Sequence, residues 1–184
     1  YKDGQRHNTK VYFDISAETC VNDTQNIVEL GKTENSVYCG RGDKDVLSQT
    51  GDDILIDWGY LHMIAPDAEC KVYDEEDRVD IFKRNNEREG IIGERRVSDG
   101  WPVLSATKSF GEVEKASGFV CIGYDDIFSI EYFGEKLKGY WTENGDDFET
   151  VVKKAIANYS EINQKCDKFD LELRAKGETI SAKY

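Results

Sequence analysis

Two groups of carboxylates carry the most obvious chemistry in this chain. Asp52, Asp53 and Asp57 flank Ile54-Leu55-Ile56, and Trp58 follows directly. Asp125, Asp126 and Glu131 flank a second apolar segment, close in sequence to Tyr124, Tyr132 and Trp141. Paired carboxylates beside aromatic rings can bind a small polar substrate or glycan, or exchange protons with it. The same residues also arise at strand ends, where aspartate accepts backbone hydrogen bonds in turns, and this is the commoner origin. Asp53, Asp57, Trp58, Asp125, Asp126, Glu131, Tyr132 and Trp141 are the candidate ligand-binding residues.

No catalytic residue can be assigned. Ser105-Ala106-Thr107-Lys108 fits the S-x-x-K pattern of serine–lysine nucleophiles, which needs both side chains on one helical turn. Here the tetrapeptide continues an alternating strand, where positions three apart point to opposite faces. Arg41-Gly42-Asp43 reads as turn chemistry rather than an adhesion motif. The five cysteines, Cys20, Cys39, Cys70, Cys121 and Cys166, stand at least 19 positions apart, and only His7 and His62 accompany them. That spacing argues against a metal site, and no cofactor is implied. The odd count fits free thiols, and Cys121 in Phe119-Val120-Cys121-Ile122 reads as a buried small apolar residue.

The elements that position these residues fall into two regimes. From residue 10 to about 142 the period is two. Val11, Phe13, Ile15 and Ala17 lie on one face of the first strand, and Asp3-Gly4 before it signals a hairpin with a strand at or upstream of residue 1. Residues 52–64 read as one long strand, or two joined at Gly59. Residues 100–107, 118–124 and 126–133 read as further strands, the last with Phe128, Ile130 and Tyr132 on one face. Short strands separated by Gly, Asp and Asn turns point to an antiparallel β-sandwich. Residues 74–100 carry fifteen charged side chains in 27 positions and read as a solvated excursion, with a helical turn near Val79 to Arg88.

After Gly145 the period changes. Asp146 is placed to cap a helix, with Glu149 three positions on. Phe148, Val151, Val152, Ala155, Ile156, Tyr159, Ile162, Cys166, Phe169 and Leu173 then recur at spacings of three and four, up to Lys176-Gly177. The expected fold is mainly β: an antiparallel sandwich over residues 1–145, followed by one long amphipathic α-helix in residues 146–184.

Composition narrows the partners. Lys and Arg number 24 against 37 Asp and Glu, a net charge of −13, which argues against nucleic acid and anionic membrane surfaces. No apolar run approaches the ~20 residues of a membrane span. The aromatic content of 11% is that of a chain able to bury a core. The start, Tyr1-Lys2-Asp3, does not read as a signal peptide, so secreted, periplasmic and cytoplasmic locations all remain open. Asn22-Asp23-Thr24 and Asn158-Tyr159-Ser160 are glycosylation sequons in a secreted context.

Several segments carry a family resemblance: Val11-Tyr12-Phe13-Asp14-Ile15-Ser16-Ala17-Glu18, Ile54-Leu55-Ile56-Asp57-Trp58-Gly59-Tyr60-Leu61, Asp99-Gly100-Trp101-Pro102-Val103-Leu104 and Gly123-Tyr124-Asp125-Asp126-Ile127-Phe128. With Tyr140-Trp141 and Cys166-Asp167-Lys168-Phe169-Asp170, they occur in an order that resembles the N-terminal region of glutaminase A-type proteins of fungi and bacteria. The resemblance implies a sandwich domain of unassigned function, ahead of a helical-barrel domain like those of six-hairpin glycosidases. It implies relatives that begin upstream of Tyr1 and continue past Tyr184, with residues 146–184 as the linker helix. In the intact protein it implies hydrolysis of L-glutamine to L-glutamate and ammonia. The alternative is an accessory or carbohydrate-binding domain of a glycosidase-like enzyme, and a third reading is a plain interaction module. No catalytic role carries over to any residue here, and the fragment alone is expected to be inactive.

Overall fold

The computed structural model describes residues 3–34, 36–41, 46–47, 58–84 and 88–181. The chain divides into two compact units, Tyr1–Tyr140 and Trp141–Tyr184. The first is mainly β.

Two antiparallel sheets form its body. The smaller has the order β1-β7-β5, from His7–Ser16, Val103–Val113 and Glu69–Tyr73. The larger has the order β6-β2-β3-β4-β8, from Gly93–Arg96, Ile27–Lys32, Val37–Arg41, Gly59–Ile64 and Cys121–Asp125. Alternation decides which side chains meet between them. Val28, Leu30, Cys39, Leu61 and Met63 from the larger sheet form one core with Cys70, Val72, Leu104 and Ala106 from the smaller. Fully burying each of the larger aliphatic side chains stabilises the fold by ~1.5–3 kcal/mol.

β1 runs in the expected alternation and pairs along its length with β7, at the edge of the smaller sheet. Asp3-Gly4 makes the expected turn: Asp3 Oδ1 accepts the Gln5 amide at 3.0 Å and Gly4 has φ +71°. The expected strand at 100–107 begins at Val103, because Gly100 (φ +82°) and Trp101 (φ +52°) form a turn. Of the expected strand at 52–64, residues 52–57 lie outside the described residues and Gly59–Ile64 is β4.

The charged stretch is more ordered than a solvated excursion. A short helix, α1, spans Arg78–Arg84 and β6 joins the larger sheet. Ile81 of α1 packs with Tyr73, Val103 and Tyr12 on the outer face of the smaller sheet. Arg78 clamps Asp14 through two parallel hydrogen bonds, Nε to Oδ2 at 2.7 Å and Nη2 to Oδ1 at 2.9 Å. This fork geometry is specific to guanidinium and carboxylate.

The expected strand at 126–133 is shorter. Only Ile130–Tyr132 (β9) pairs, with Glu135–Leu137 (β10), in a separate two-stranded hairpin. Ile127 stands at φ +62°, and the Phe128 amide turns back to the Asp126 carbonyl at 2.6 Å. That turn ends the extended backbone before a longer ladder can form.

In the second unit the helical stretch has two segments, α2 (Phe148–Ala157) and α3 (Tyr159–Ile180), separated at Asn158 (φ −93°, ψ 4°). Asp147, not Asp146, is the N-cap: its Oδ1 accepts the Thr150 amide at 2.8 Å. Asp146 pairs with Lys154. Gly177 does not end α3; it is buried within the helix, and its carbonyl accepts the Ser181 amide.

Candidate functional site

The junction between β4 and β8 gathers three of the sequence-predicted residues. Trp58 is 8% exposed, and its indole Nε1 donates to the Asp126 carbonyl at 3.0 Å. Tyr124 returns a hydroxyl to the Trp58 carbonyl at 2.8 Å. Gly59 adopts φ +81°, and a Cβ there would collide with the Asp125 carbonyl, so glycine is required for this approach. Asp125 Oδ1 accepts the Ile127 amide at 3.0 Å, and Asp126 Oδ1 accepts the Ser129 hydroxyl at 3.0 Å. These are turn-forming bonds, the commoner of the two origins weighed for strand-end aspartates.

The other candidates are placed apart or lie elsewhere. Glu131 and Tyr132 are exposed on the β9–β10 hairpin, where Tyr132 is 63% exposed with its ring edge-on to Phe133. Trp141 belongs to the second unit. Asp53 and Asp57 lie outside the described residues.

A second constellation, which the sequence reading passed over, occupies the outer face of the larger sheet. Register sets it up. Glu29 is opposite Gly40, and Gly40 is opposite Tyr60; Gly31 is opposite Tyr38, and Tyr38 is opposite His62. On the far side Tyr60 is opposite Asp125, which ties this face to the junction just described. Tyr38 and Tyr60 both donate to Glu29, at 2.9 Å to Oε1 and 3.2 Å to Oε2. The two rings meet edge-on with centroids 5.6 Å apart, and Tyr38 lies 5.5 Å from the His62 ring. Gly31 makes room for this, since a Cβ there would enter the Tyr38 ring.

The electrostatics follow from the contacts. Burial, and then the Glu29 carboxylate, push the Tyr38 phenol above its usual value. Its hydroxyl stays a hydrogen-bond donor at neutral pH. His62 is 8% exposed and its Nδ1 shares a hydrogen bond with Ser36 Oγ at 3.1 Å. Ser36, 3% exposed, is also bonded to Thr33 at 3.0 Å in the β2–β3 turn. This buried Ser–His contact secures a hairpin and offers no accessible nucleophile. The accessible chemistry of the face is a carboxylate aimed by two phenols, with aromatic edges beside glycines. It suits polar ligands that present hydroxyl donors and an apolar ring face.

The S-x-x-K pair separates as its strand position demands. Ser105 donates to the Lys71 carbonyl at 2.9 Å, while Lys108, on the opposite face of β7, reaches the Pro66 carbonyl at 3.1 Å. Among the described residues, no group of three or more His, Cys, Asp or Glu side chains is placed to hold a metal ion. All five cysteines are free, and Cys121 is only partly buried, less than its apolar setting led us to expect. It opens β8, at the edge of the larger sheet.

A family model described as a domain of unknown function (DUF5127) matches residues 1–176. The chain belongs to the DUF5127 family. No curated protein and no solved structure matches it. In this DUF5127 chain the family match covers both the sandwich and most of the helical unit. No helix among its described residues is long and apolar enough to cross a membrane.

Proposed function

We propose that this DUF5127 chain is the non-catalytic sandwich portion of a glutaminase A-like hydrolase, whose intact form converts L-glutamine to L-glutamate and ammonia. In this reading it supports a helical-barrel domain of the same polypeptide. The observation that carries it is the use of Asp125 and Asp126 as turn acceptors, tied to Ile127 and Ser129 rather than aimed at a nucleophile. The motif series through Asp-Trp-Gly-Tyr and Gly-Tyr-Asp-Asp-Ile, which resembles that of glutaminase A-type proteins, supports this reading. Ammonia release is the test. The purified 184-residue chain is expected to release none from glutamine, and the intact protein is expected to release it. Turnover by this chain alone, lost in one point variant, overturns the non-catalytic role. An intact protein that cleaves glycosides and leaves glutamine untouched overturns the amidase.

The second reading is a carbohydrate-binding accessory domain, favoured by Tyr38 and Tyr60 converging on Glu29 beside glycines. Calorimetry against a panel of neutral oligosaccharides tests it. Binding weakened by Tyr60→Phe and by Glu29→Gln supports the face as the site. Binding lost instead in Asp125→Ala or Trp141→Ala moves the site to the residues first read from the sequence. No sugar binding removes this reading.

A further inference from the structure

The sandwich is closed at one end and open at the other. Ile15, Phe13 and Val11 share the inward face of β1, opposite Leu104, Ala106 and Lys108 of β7. Leu104 is fully buried, yet Phe13 is 39% and Val11 49% exposed. The inward face thus loses its cover progressively toward the start of β1. Between this uncovered face and the segment 113–120 lies a cavity of about 720 Å³. Its walls are mostly apolar, from Val11, Phe13, Ala106, Phe110, Phe119 and Val120, with Thr9 and Ser117 among the polar lining. That volume falls within the ~300–1,000 Å³ range of small-molecule sites.

One charge enters on the inward side. Lys108 follows the same parity as Ala106, and its side chain is 27% exposed. Its ammonium donates to the Pro66 carbonyl and sits 5.4 Å from the Phe110 ring centroid. The Asp67 carboxylate is 3.7 Å away and 89% exposed, so water screens it. Glu114 and Lys115, also lining the cavity, are exposed and opposite in sign. An ammonium has three donors, and the Pro66 carbonyl accepts from only one.

We propose that this open end binds a small amphiphilic carboxylate, with its apolar body between β1 and segment 113–120 and its anionic head on Lys108. The walls select against polyols, which would lose hydration without finding partners there. Charge complementarity with Lys108 selects an anion over a neutral amphiphile. This site is distinct from the Glu29 face and does not depend on the reading given to that face.

The test is calorimetric titration of the full chain with decanoate and, in parallel, decan-1-ol. Decanoate is expected to bind saturably and more tightly than the alcohol. Lys108→Met, which keeps the apolar stem, is expected to weaken decanoate about tenfold, the ratio that ~1.4 kcal/mol represents, and to leave the alcohol unchanged. Val11→Trp fills the mouth from a half-exposed position and is expected to abolish binding of both, with its melting curve recorded alongside. If that variant is unfolded, the Lys108→Met comparison decides alone. The proposal is overturned by absence of saturable decanoate binding. It is equally overturned by decanoate affinity that Lys108→Met leaves intact, or by binding that survives in a folded Val11→Trp.

Discussion

Glu29 is the residue through which the outer face of the larger sheet is organised, because two phenols converge on its carboxylate. Its negative charge and hydrogen bond both favour the protonated Tyr38, in addition to the effect of burial. Glu29→Gln keeps an acceptor but removes the charge, so the Tyr38 phenol should titrate lower, read as tyrosinate absorbance against pH. The linked stability has a definite sign. A phenol raised in the folded state binds its proton more tightly there than in the unfolded chain, where tyrosine titrates near ~10. That contribution is present below ~10 and is lost as pH rises through the folded value. Glu29→Gln should therefore show a shallower alkaline loss of stability than wild type in urea melts at stepped pH. An equally steep loss would mean Glu29 does not hold the phenol. Gly31 makes an independent test of the same cluster. Gly31→Ala places a methyl in the Tyr38 ring, which must swing away and release Glu29. Overpacking of this kind costs ~1–3 kcal/mol, measurable as a lower urea midpoint with unchanged slope.

Elements differed in how openly the chain declared them. β1 was legible because Val11, Phe13 and Ile15 alternate with polar neighbours on one face, of which Ile15 packs against the core. β2 and β3 were not, although Val28, Leu30, Val37 and Cys39 alternate just as regularly. Their other parity holds Glu29, Gly31 and Gly40, and glycine within a strand imitates a turn. That is why the Glu29–Tyr38–Tyr60 face went unread: its members are adjacent only through a register that local pattern does not specify. Asp125, Asp126 and Trp58 do converge, but in the service of the turn: Trp58 donates to the Asp126 carbonyl, while Asp125 accepts the Ile127 amide and Asp126 the Ser129 hydroxyl. The helix start was displaced by one residue, since Asp146 and Asp147 are chemically identical caps. Asp147 Oδ1 takes the Thr150 amide, and burial is not involved, so the bond should matter chiefly to the first turn. Asp147→Ala should lower protection of the Thr150 amide against hydrogen exchange, while Asp146→Ala should spare it. Equal loss in both variants would assign the cap to the pair rather than to Asp147.

At the scale of the molecule, the five thiols report how stability is distributed between the units. Cys20 and Cys39 stand nineteen positions apart in the chain, yet their sulfurs approach to 3.4 Å in the sandwich core. Both are fully buried, and Cys70 is 8% exposed in the same core. The Cys39 thiol is raised well above its usual range by its bond to Cys20 and by burial, which suppresses the reactive thiolate further. Cys121, at the sheet edge, is partly covered, with burial raising its thiol; Cys166 lies exposed on α3 in the second unit. Labelling by an aromatic disulfide reagent should therefore proceed in order. Cys166, exposed, should react first, Cys121 more slowly, and the three core cysteines only as the sandwich opens. If core labelling follows global unfolding, its rate should rise steeply with urea while the Cys166 rate stays nearly flat. Core cysteines that label together with Cys166 in native buffer would show that the sandwich opens locally around Cys20, β3 and β5. The same site-resolved rates, repeated with decanoate present, separate the cavity from the core. A ligand bound only by the folded sandwich must slow core labelling by mass action, and it should leave the Cys166 rate unchanged.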